Sequence, residues 1–132
     1  MNELLIEATK FCPRIRLSPD DRVFEIIGFS LPENVADLFL PVLEWLDVFY
    51  EQTQTNNRLK EGKYKLIFKL SYFNSASLRF IVDIIKKVNS FYQSGIDICI
   101  NWYYDDGDTQ IKESGNELAE LVNLPFHVIE SD

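Results

Sequence analysis

The most constraining feature of this chain is a change of hydrophobic period between residues 65 and 85. Up to Phe73, apolar side chains alternate with other residues, which is typical of a β-strand. From Leu78 onward they recur about every 3.6 residues, as expected for one face of an α-helix. A strand therefore passes almost directly into a helix across Asn74–Ser77, and Asn and Ser are favoured at helix N-termini.

Ser75, at this junction, has two interpretations. The simpler one is helix capping, because a side-chain oxygen can accept a hydrogen bond from a backbone N–H that the first turn leaves unpaired. The other is a regulatory phosphosite. A phosphate adds about −1.5 to −2 charges at neutral pH, and a helix N-terminus accommodates an anion. Phosphorylation of Ser75 would then leave the fold intact and act on whatever docks there.

The hydrophobic pattern predicts strands and helices along one domain, residues 1–132. Strands are expected at 4–9, 13–17, 22–27, 63–73, 96–103 and 126–129, and helices at 33–50, from 75 to just before Gly95, and at 109–122. Ser18–Asp21 is the predicted turn of a hairpin. Strands that alternate with helices after residue 30 imply right-handed crossovers. The predicted fold is α/β, with a mixed sheet, an N-terminal antiparallel hairpin and helices packed on the sheet.

Several details follow from the same pattern. Pro41 either kinks the first helix or marks its true start, and the residues from Gln52 to Gly62 read as a polar loop. Strand 63–73 is expected to turn Tyr72 to the same side as Tyr64. The two later helices are expected to turn Tyr92 and Leu121 inward, while strand 96–103, with two mostly apolar faces, is expected to be interior.

The formal net charge of −8 makes nucleic acid and anionic membranes poor partners for this chain. The sequence contains no apolar run long enough for membrane insertion and no signal peptide, so we expect a cytoplasmic protein. Lys63, Lys65 and Lys69 share one strand face. They indicate either a solvated edge strand, which is the preferred interpretation, or a small patch that meets an acidic partner.

No residue pattern points to a cofactor, a metal or catalysis. Cys12 and Cys99 are too far apart in sequence to suggest a metal site, and His127 is the only histidine. The acidic run Asp105–Asp108 lacks the spacing of a calcium-binding loop and reads as a turn. A small hydrolase or transferase that uses these carboxylates is the less supported alternative to an interaction protein.

Trp102, Tyr103 and Tyr104 stand near the carboxyl end of the strand 96–103. Aromatic residues at a strand end usually belong to the core or its rim. They could equally form part of a partner surface beside Ser75 if the two strands are neighbours, since Trp and Tyr are favoured anchors at interfaces. Both interpretations stay open from the sequence.

The junction is similar to the phosphorylation loop of STAS-domain anti-sigma-factor antagonists, with Asn74 in place of their Asp. A closer resemblance is to the SiaC family of bacterial regulatory phosphoproteins, and it extends over nearly the whole chain. The segments that carry it are Tyr72–Ser77, Ile100–Asp105, Ser30–Asn34 and Leu124–Phe126. Asn-Trp-Tyr-Tyr-Asp together with Tyr-Phe-Asn-Ser-Ala-Ser is far more specific than either fragment alone.

This resemblance implies a STAS-like fold and a non-enzymatic partner switch. It implies that a dedicated serine/threonine kinase phosphorylates Ser75, that a PP2C-type phosphatase reverses this, and that the unphosphorylated form binds and activates a diguanylate cyclase. An interaction module that acts on another target is the alternative. The predicted partner-binding residues surround Ser75 or follow the resemblance: Asn74, Ala76, Ser77, Arg79, Trp102, Tyr103 and Tyr104.

Overall fold

The computed structural model describes residues 1–132, and its frame is one six-stranded sheet with the strands in chain order. The strands are β1 (Leu4–Ile6), β2 (Arg14–Ser18), β3 (Val23–Ser30), β4 (Lys63–Phe73), β5 (Asp97–Tyr104) and β6 (Phe126–Glu130). β1, β2 and β3 pair antiparallel, and β3 to β6 run parallel. The mixed sheet and its N-terminal hairpin are thus confirmed.

Four helices connect the parallel strands. They are α1 (Val35–Thr53), α2 (Asn57–Lys60), α3 (Ser75–Gln93) and α4 (Thr109–Ala119). α1 begins where the Asn34 side chain accepts a hydrogen bond from the Asp37 N–H, and it continues through Pro41, which therefore is not its start. α3 ends before Gly95, whose positive φ of 101° is the conformation expected just after a helix. No helix combines the length and the apolarity that a membrane span requires.

The core lies between one face of the sheet and the helices. In the parallel strands, alternate residues such as Phe24, Leu66 and Ile100 are fully buried under α1 and α3. The rings of Phe24 and Phe49 meet edge to face, 5.3 Å apart, and join β3 to α1. α4 covers the same face, because its Gly115 lies against the buried Trp102 of β5. The helices therefore form a single layer.

The other side of the sheet has no helix over it, and we call it the open face. In β4 it carries Lys63, Lys65, Ile67 and Lys69, which alternate with the buried residues of that strand. The prediction that these lysines mark an edge strand is wrong. β4 is an interior strand between β3 and β5, and its lysines are exposed because one sheet face is uncovered.

Three side chains predicted to point inward do not. Tyr72 is 42% exposed and stacks on Phe29 with ring centroids 5.0 Å apart, where the register between β3 and β4 shifts after Gly28. Tyr92 is exposed, and its neighbour Phe91 is the buried residue.

Leu121 is 50% exposed because α4 ends at Ala119, before this residue can face the core. The predicted loop Gln52–Gly62 is also shorter than expected. The end of α1 and the short helix α2 occupy most of it.

Candidate functional site

The junction between β4 and α3 places Ser75 at the first helical position, with its side chain exposed to solvent. Its hydroxyl makes no hydrogen bond within the chain. The helix cap is instead Asn74, whose Oδ1 accepts a hydrogen bond from the Ser77 N–H at 2.8 Å. The capping interpretation therefore applies to Asn74, and the hydroxyl of Ser75 is free for another role.

Ser77 lies in the same helical turn but is completely buried. Its hydroxyl lies 2.9 Å from the hydroxyl of Ser30 at the end of β3, and the Asn74 N–H donates to the Ser30 carbonyl at 3.1 Å. The expectation that Ser77 contacts a partner is thus wrong for direct contact. This residue instead anchors the first turn of α3 to the sheet.

Ala76 and Arg79 are exposed beside Ser75. Arg79 is four residues after Ser75, one turn further along α3, which puts the two side chains on the same side of the helix. No carboxylate lies within 4 Å of the Arg79 guanidinium, and the first turn of α3 contains no acidic residue. The surface around the Ser75 hydroxyl thus carries an unpaired positive charge.

The three aromatic residues of β5 do not form one cluster. Trp102 is fully buried and donates its indole N–H to the Ile111 carbonyl at 2.8 Å, so the expectation that it contacts a partner is wrong for direct contact. Tyr103 points to the open face, where Lys69 Nζ lies 4.6 Å from its ring centroid. Tyr104 lies half-buried on the helix side, with Lys112 Nζ 5.5 Å from its ring centroid.

A cleft of about 310 Å³ opens between the end of β4 and α4, beside the Ser75 junction. Its lining includes the exposed Tyr72 and the carboxylates of Asp108, Glu113 and Glu117. Asp108 belongs to the acidic run that the sequence offered only for the hydrolase alternative, and Glu113 and Glu117 were not identified from the sequence as part of a site. The signal that could have found them is the pattern of α4, in which acidic residues flank a short apolar stripe.

A second groove, of about 280 Å³, lies between α3 and α4 and is mostly apolar. Leu78 and Val82 come from α3, Leu118 from α4, and the exposed Leu121 follows it. The two concavities share Ser114 and Glu117. Together they form a continuous surface. Ser75 does not line it, but Phe73, two residues before Ser75, lines the cleft, and Leu78, three residues after it, lines the groove.

The groups whose pKa values are shifted belong to the core and to the open face, not to the Ser75 junction. No three His, Cys, Asp or Glu side chains cluster closely enough to hold a metal ion. Burial raises the pKa of the Cys99 thiol and of the Tyr64 phenol, but Cys99 is on the open face and Tyr64 is in the core. Around Ser75 the geometry combines an exposed hydroxyl, the N-terminus of a helix and the unpaired guanidinium of Arg79.

Comparison with known proteins assigns this chain to a protein family. A model of the SiaC family, described as regulatory phosphoproteins, matches residues 6–131. The chain belongs to the SiaC family. A further relative, an uncharacterized protein of Pseudomonas aeruginosa (strain UCBPP-PA14), is 27% identical over 128 residues, which is 97% of this chain and 96% of that protein.

Two solved structures of the family superpose on the whole fold. One is the crystal structure of the diguanylate cyclase SiaD in complex with its activator SiaC from Pseudomonas aeruginosa. It matches with a TM-score of 0.86 at 26% identity, over 97% of this chain and 99% of that one. The other is SiaC of Pseudomonas aeruginosa, with a TM-score of 0.82 at 26% identity, over 99% and 100% of the two chains. The resemblance drawn from the sequence motifs is confirmed.

Proposed function

We propose that this SiaC-family chain is a non-enzymatic partner switch whose unphosphorylated form binds and activates a diguanylate cyclase. The observation that carries the proposal is Ser75: an exposed, unbonded hydroxyl at the first position of α3 in a family of regulatory phosphoproteins. SiaC of Pseudomonas aeruginosa is the activator of a diguanylate cyclase, which supports the same class of target here.

Ser75 is the best phosphoacceptor among the nearby serines. Ser77 is buried, so a kinase cannot reach its hydroxyl without opening the helix. Ser71 lies within the paired strand β4, and its hydroxyl donates to the Gly28 carbonyl at 3.3 Å. A kinase must seat the hydroxyl in its own active site, and only the junction offers that access. A serine/threonine kinase and a PP2C-type phosphatase are the proposed enzymes for the cycle.

The fold can accept the phosphate at low cost. The first backbone N–H groups of a helix have no intrahelical partner, and the helix dipole favours negative charge there. Arg79 lies at the i+4 position relative to Ser75, the preferred orientation for an acidic group and a basic one on a helix. A phosphate on Ser75 can pair with this guanidinium. Phosphorylation then changes the docking surface while the fold stays intact.

The partner surface consists of the exposed residues around Ser75 and the grooves beside α4. Asn74, Ala76 and Arg79 border the phosphoacceptor, and Leu78 with Leu121 supplies apolar area. A partner docked there must desolvate any charge placed on Ser75. A phosphate adds about −1.5 to −2 charges beside a cleft that three carboxylates already line, so it repels an acidic partner. A neutral partner is also disfavoured, because it must remove water from the phosphate in order to dock.

The test is capture from an extract of the source cells on immobilised protein, followed by mass spectrometry. Ser75→Ala is expected to retain a diguanylate cyclase and to raise its rate of cyclic-di-GMP formation. Ser75→Asp is expected to retain less of it, and the enzymatically phosphorylated chain least, because the mimetic carries a smaller charge. Ser90→Asp, which adds the same charge elsewhere on α3, serves as the control.

Three results contradict the proposal. Equal or tighter binding of the cyclase by the fully phosphorylated chain rejects the inhibitory sign of the switch. Phosphate mapped mainly to a residue other than Ser75 rejects the assigned acceptor. If Ser90→Asp weakens binding as much as Ser75→Asp does, the effect is one of total charge and the junction has no special role.

A further inference from the structure

The open face is a bare surface on a kind of sheet that is normally covered on both sides. Four of its strands, β3 to β6, run parallel, and parallel sheets occur almost only with both faces packed. Here the helices cover one face alone. Ile27, Ile67 and Ile129 lie on the other face, half-buried among longer side chains. No element of the chain covers these isoleucines, and Ile67 lies between Glu25 of β3 and Asn101 of β5.

The open face carries unpaired positive charges, although the net charge of the whole chain is negative. The two arginines of β2 are neutralised: Arg14 pairs with Glu25 at 3.9 Å, and Arg16 pairs with Glu3 and Asp21. The lysines of β4 are not. Lys63, Lys65 and Lys69 are exposed, and none has a carboxylate within 4 Å, in a chain whose net charge is −8. The one carboxylate directly opposite the row is Asp97 of β5, the cross-strand neighbour of Lys63.

The lysines also stand in a row along one strand. At about 3.3 Å per residue, Lys63 and Lys65 are about 7 Å apart and Lys65 and Lys69 about 13 Å apart. Lys69 is held against the ring of Tyr103, with its ammonium 4.6 Å from the ring centroid. A cation–π contact positions the ammonium without neutralising it. The row is thus a line of positive charges along β4, with Ile67 between Lys65 and Lys69.

We propose that the open face docks an acidic segment of a second protein. The segment's carboxylates pair with Lys63, Lys65 and Lys69, and its apolar side chains cover Ile67. A second copy of this chain fits poorly, because a two-fold interface places the same lysine row against itself. Nucleic acids and anionic membranes are extended polyanions that also meet the acidic surface of the rest of the chain, whose net charge is −8, whereas a short segment meets the lysine row alone.

This docking surface is separate from the one at Ser75. Ser75 begins a helix that covers the other face of the sheet, and it follows the end of β4, whereas the lysine row runs back along that strand. At about 3.3 Å per residue, β4 places Lys69 about 13 Å and Lys65 about 26 Å from Phe73, which precedes the junction, and the screening length at physiological ionic strength is only about 8 Å. Phosphorylation is therefore expected to release one partner while the acidic segment stays bound.

The probe is a short fluorescein-labelled peptide of alternating glutamate and alanine residues, titrated with the full chain and followed by anisotropy. We expect saturable binding that weakens as salt is added. The double variant Lys65→Glu/Lys69→Glu is expected to lose at least about tenfold in affinity, roughly 1.4 kcal/mol. Lys10→Glu/Lys86→Glu makes the same change of charge outside the sheet and is the matched control. Circular dichroism verifies that both variants fold.

The same titration decides among the alternatives. The proposal is overturned if the two double variants lose affinity equally, or if phosphatidylserine vesicles or duplex DNA bind the chain more tightly than the peptide does. Ser75→Asp is expected to bind the peptide as the unmodified chain does, and a loss there overturns the separation of the two surfaces. Failure of the phosphorylation switch proposed above can be distinguished from failure of this site, because in that case Ser75→Asp retains the cyclase as well as the unmodified chain does.

Discussion

The hydroxyls of Ser30 and Ser77 lie 2.9 Å apart, and both side chains are completely buried. The Ser77 hydroxyl also lies 3.4 Å from the Ser30 carbonyl, which accepts the Asn74 N–H as well. The end of β3 thus holds both the cap and the first turn of α3. Ser75 therefore lies between two residues, Asn74 and Ser77, that are both hydrogen-bonded to Ser30.

We expect Ser77→Ala to lower the free energy of unfolding by about 1–2 kcal/mol, because it leaves the buried Ser30 hydroxyl without its side-chain partner. Ser30→Ala has a similar effect. The double variant is expected to lose less than the sum of the two, since removing both hydroxyls leaves neither unsatisfied. Urea denaturation measures all three. Strictly additive losses would show that the hydroxyls do not act as a pair.

A second prediction separates the cap from the phosphoacceptor. Asn74→Ala removes the bond to the Ser77 N–H and is expected to cost about 1 kcal/mol. Ser75→Ala removes an exposed, unbonded hydroxyl and is expected to stay within about 0.5 kcal/mol of the unmodified chain. Thermal unfolding of the two variants side by side measures this difference. A larger loss for Ser75→Ala would make Ser75 primarily structural.

The order of elements could be predicted because each strand and helix has its own hydrophobic period. The serines at the junction could not be told apart in the same way. Composition favours Asn and Ser equally as caps, and only the helix phase, fixed by the bond from Asn74 to Ser77, exposes Ser75 and buries Ser77.

The sequence also could not show which face of the sheet the helices cover. Alternation in β4 and β5 shows that neighbouring residues face opposite ways, but not which face the helices cover. For this reason the lysine row looked like an edge strand, and Trp102 could not be distinguished from Tyr103 as a partner contact. The carboxylates of the cleft beside Ser75 come from a helix that is distant in sequence. Only the packing of α4 against the end of β4 brings them there.

Gly115 illustrates such packing and carries a third prediction. A Cβ added at this position lies 2.4 Å from Cδ1 of Trp102, and the indole is fixed by its hydrogen bond to the Ile111 carbonyl. We expect Gly115→Ala to destabilise the protein by about 1–3 kcal/mol, despite the better helix propensity of Ala. Ser114→Ala, one residue earlier in α4, is the control. An unchanged or raised melting temperature for Gly115→Ala would contradict the close contact.

The last prediction concerns alkaline pH and Tyr64. This side chain is buried, and its hydroxyl donates to the Leu59 carbonyl. Burial raises the pKa of the Tyr64 phenol, and the nearby Arg22 guanidinium offsets this only in part. Because the folded pKa lies above the unfolded value of about 10, the neutral phenol contributes stability that is fully present below about pH 10. That contribution is lost as the pH rises through the folded pKa.

Urea denaturation between about pH 8 and pH 11 tests this dependence on Tyr64. Tyr64→Phe cannot ionise, so its free energy of unfolding is expected to fall less steeply above about pH 10, from a lower starting value because the bond to Leu59 is gone. Tyr92→Phe, which changes an exposed tyrosine of α3, is expected to follow the unmodified chain. Parallel profiles for Tyr64→Phe and the unmodified chain would show that the alkaline loss of stability arises at other groups.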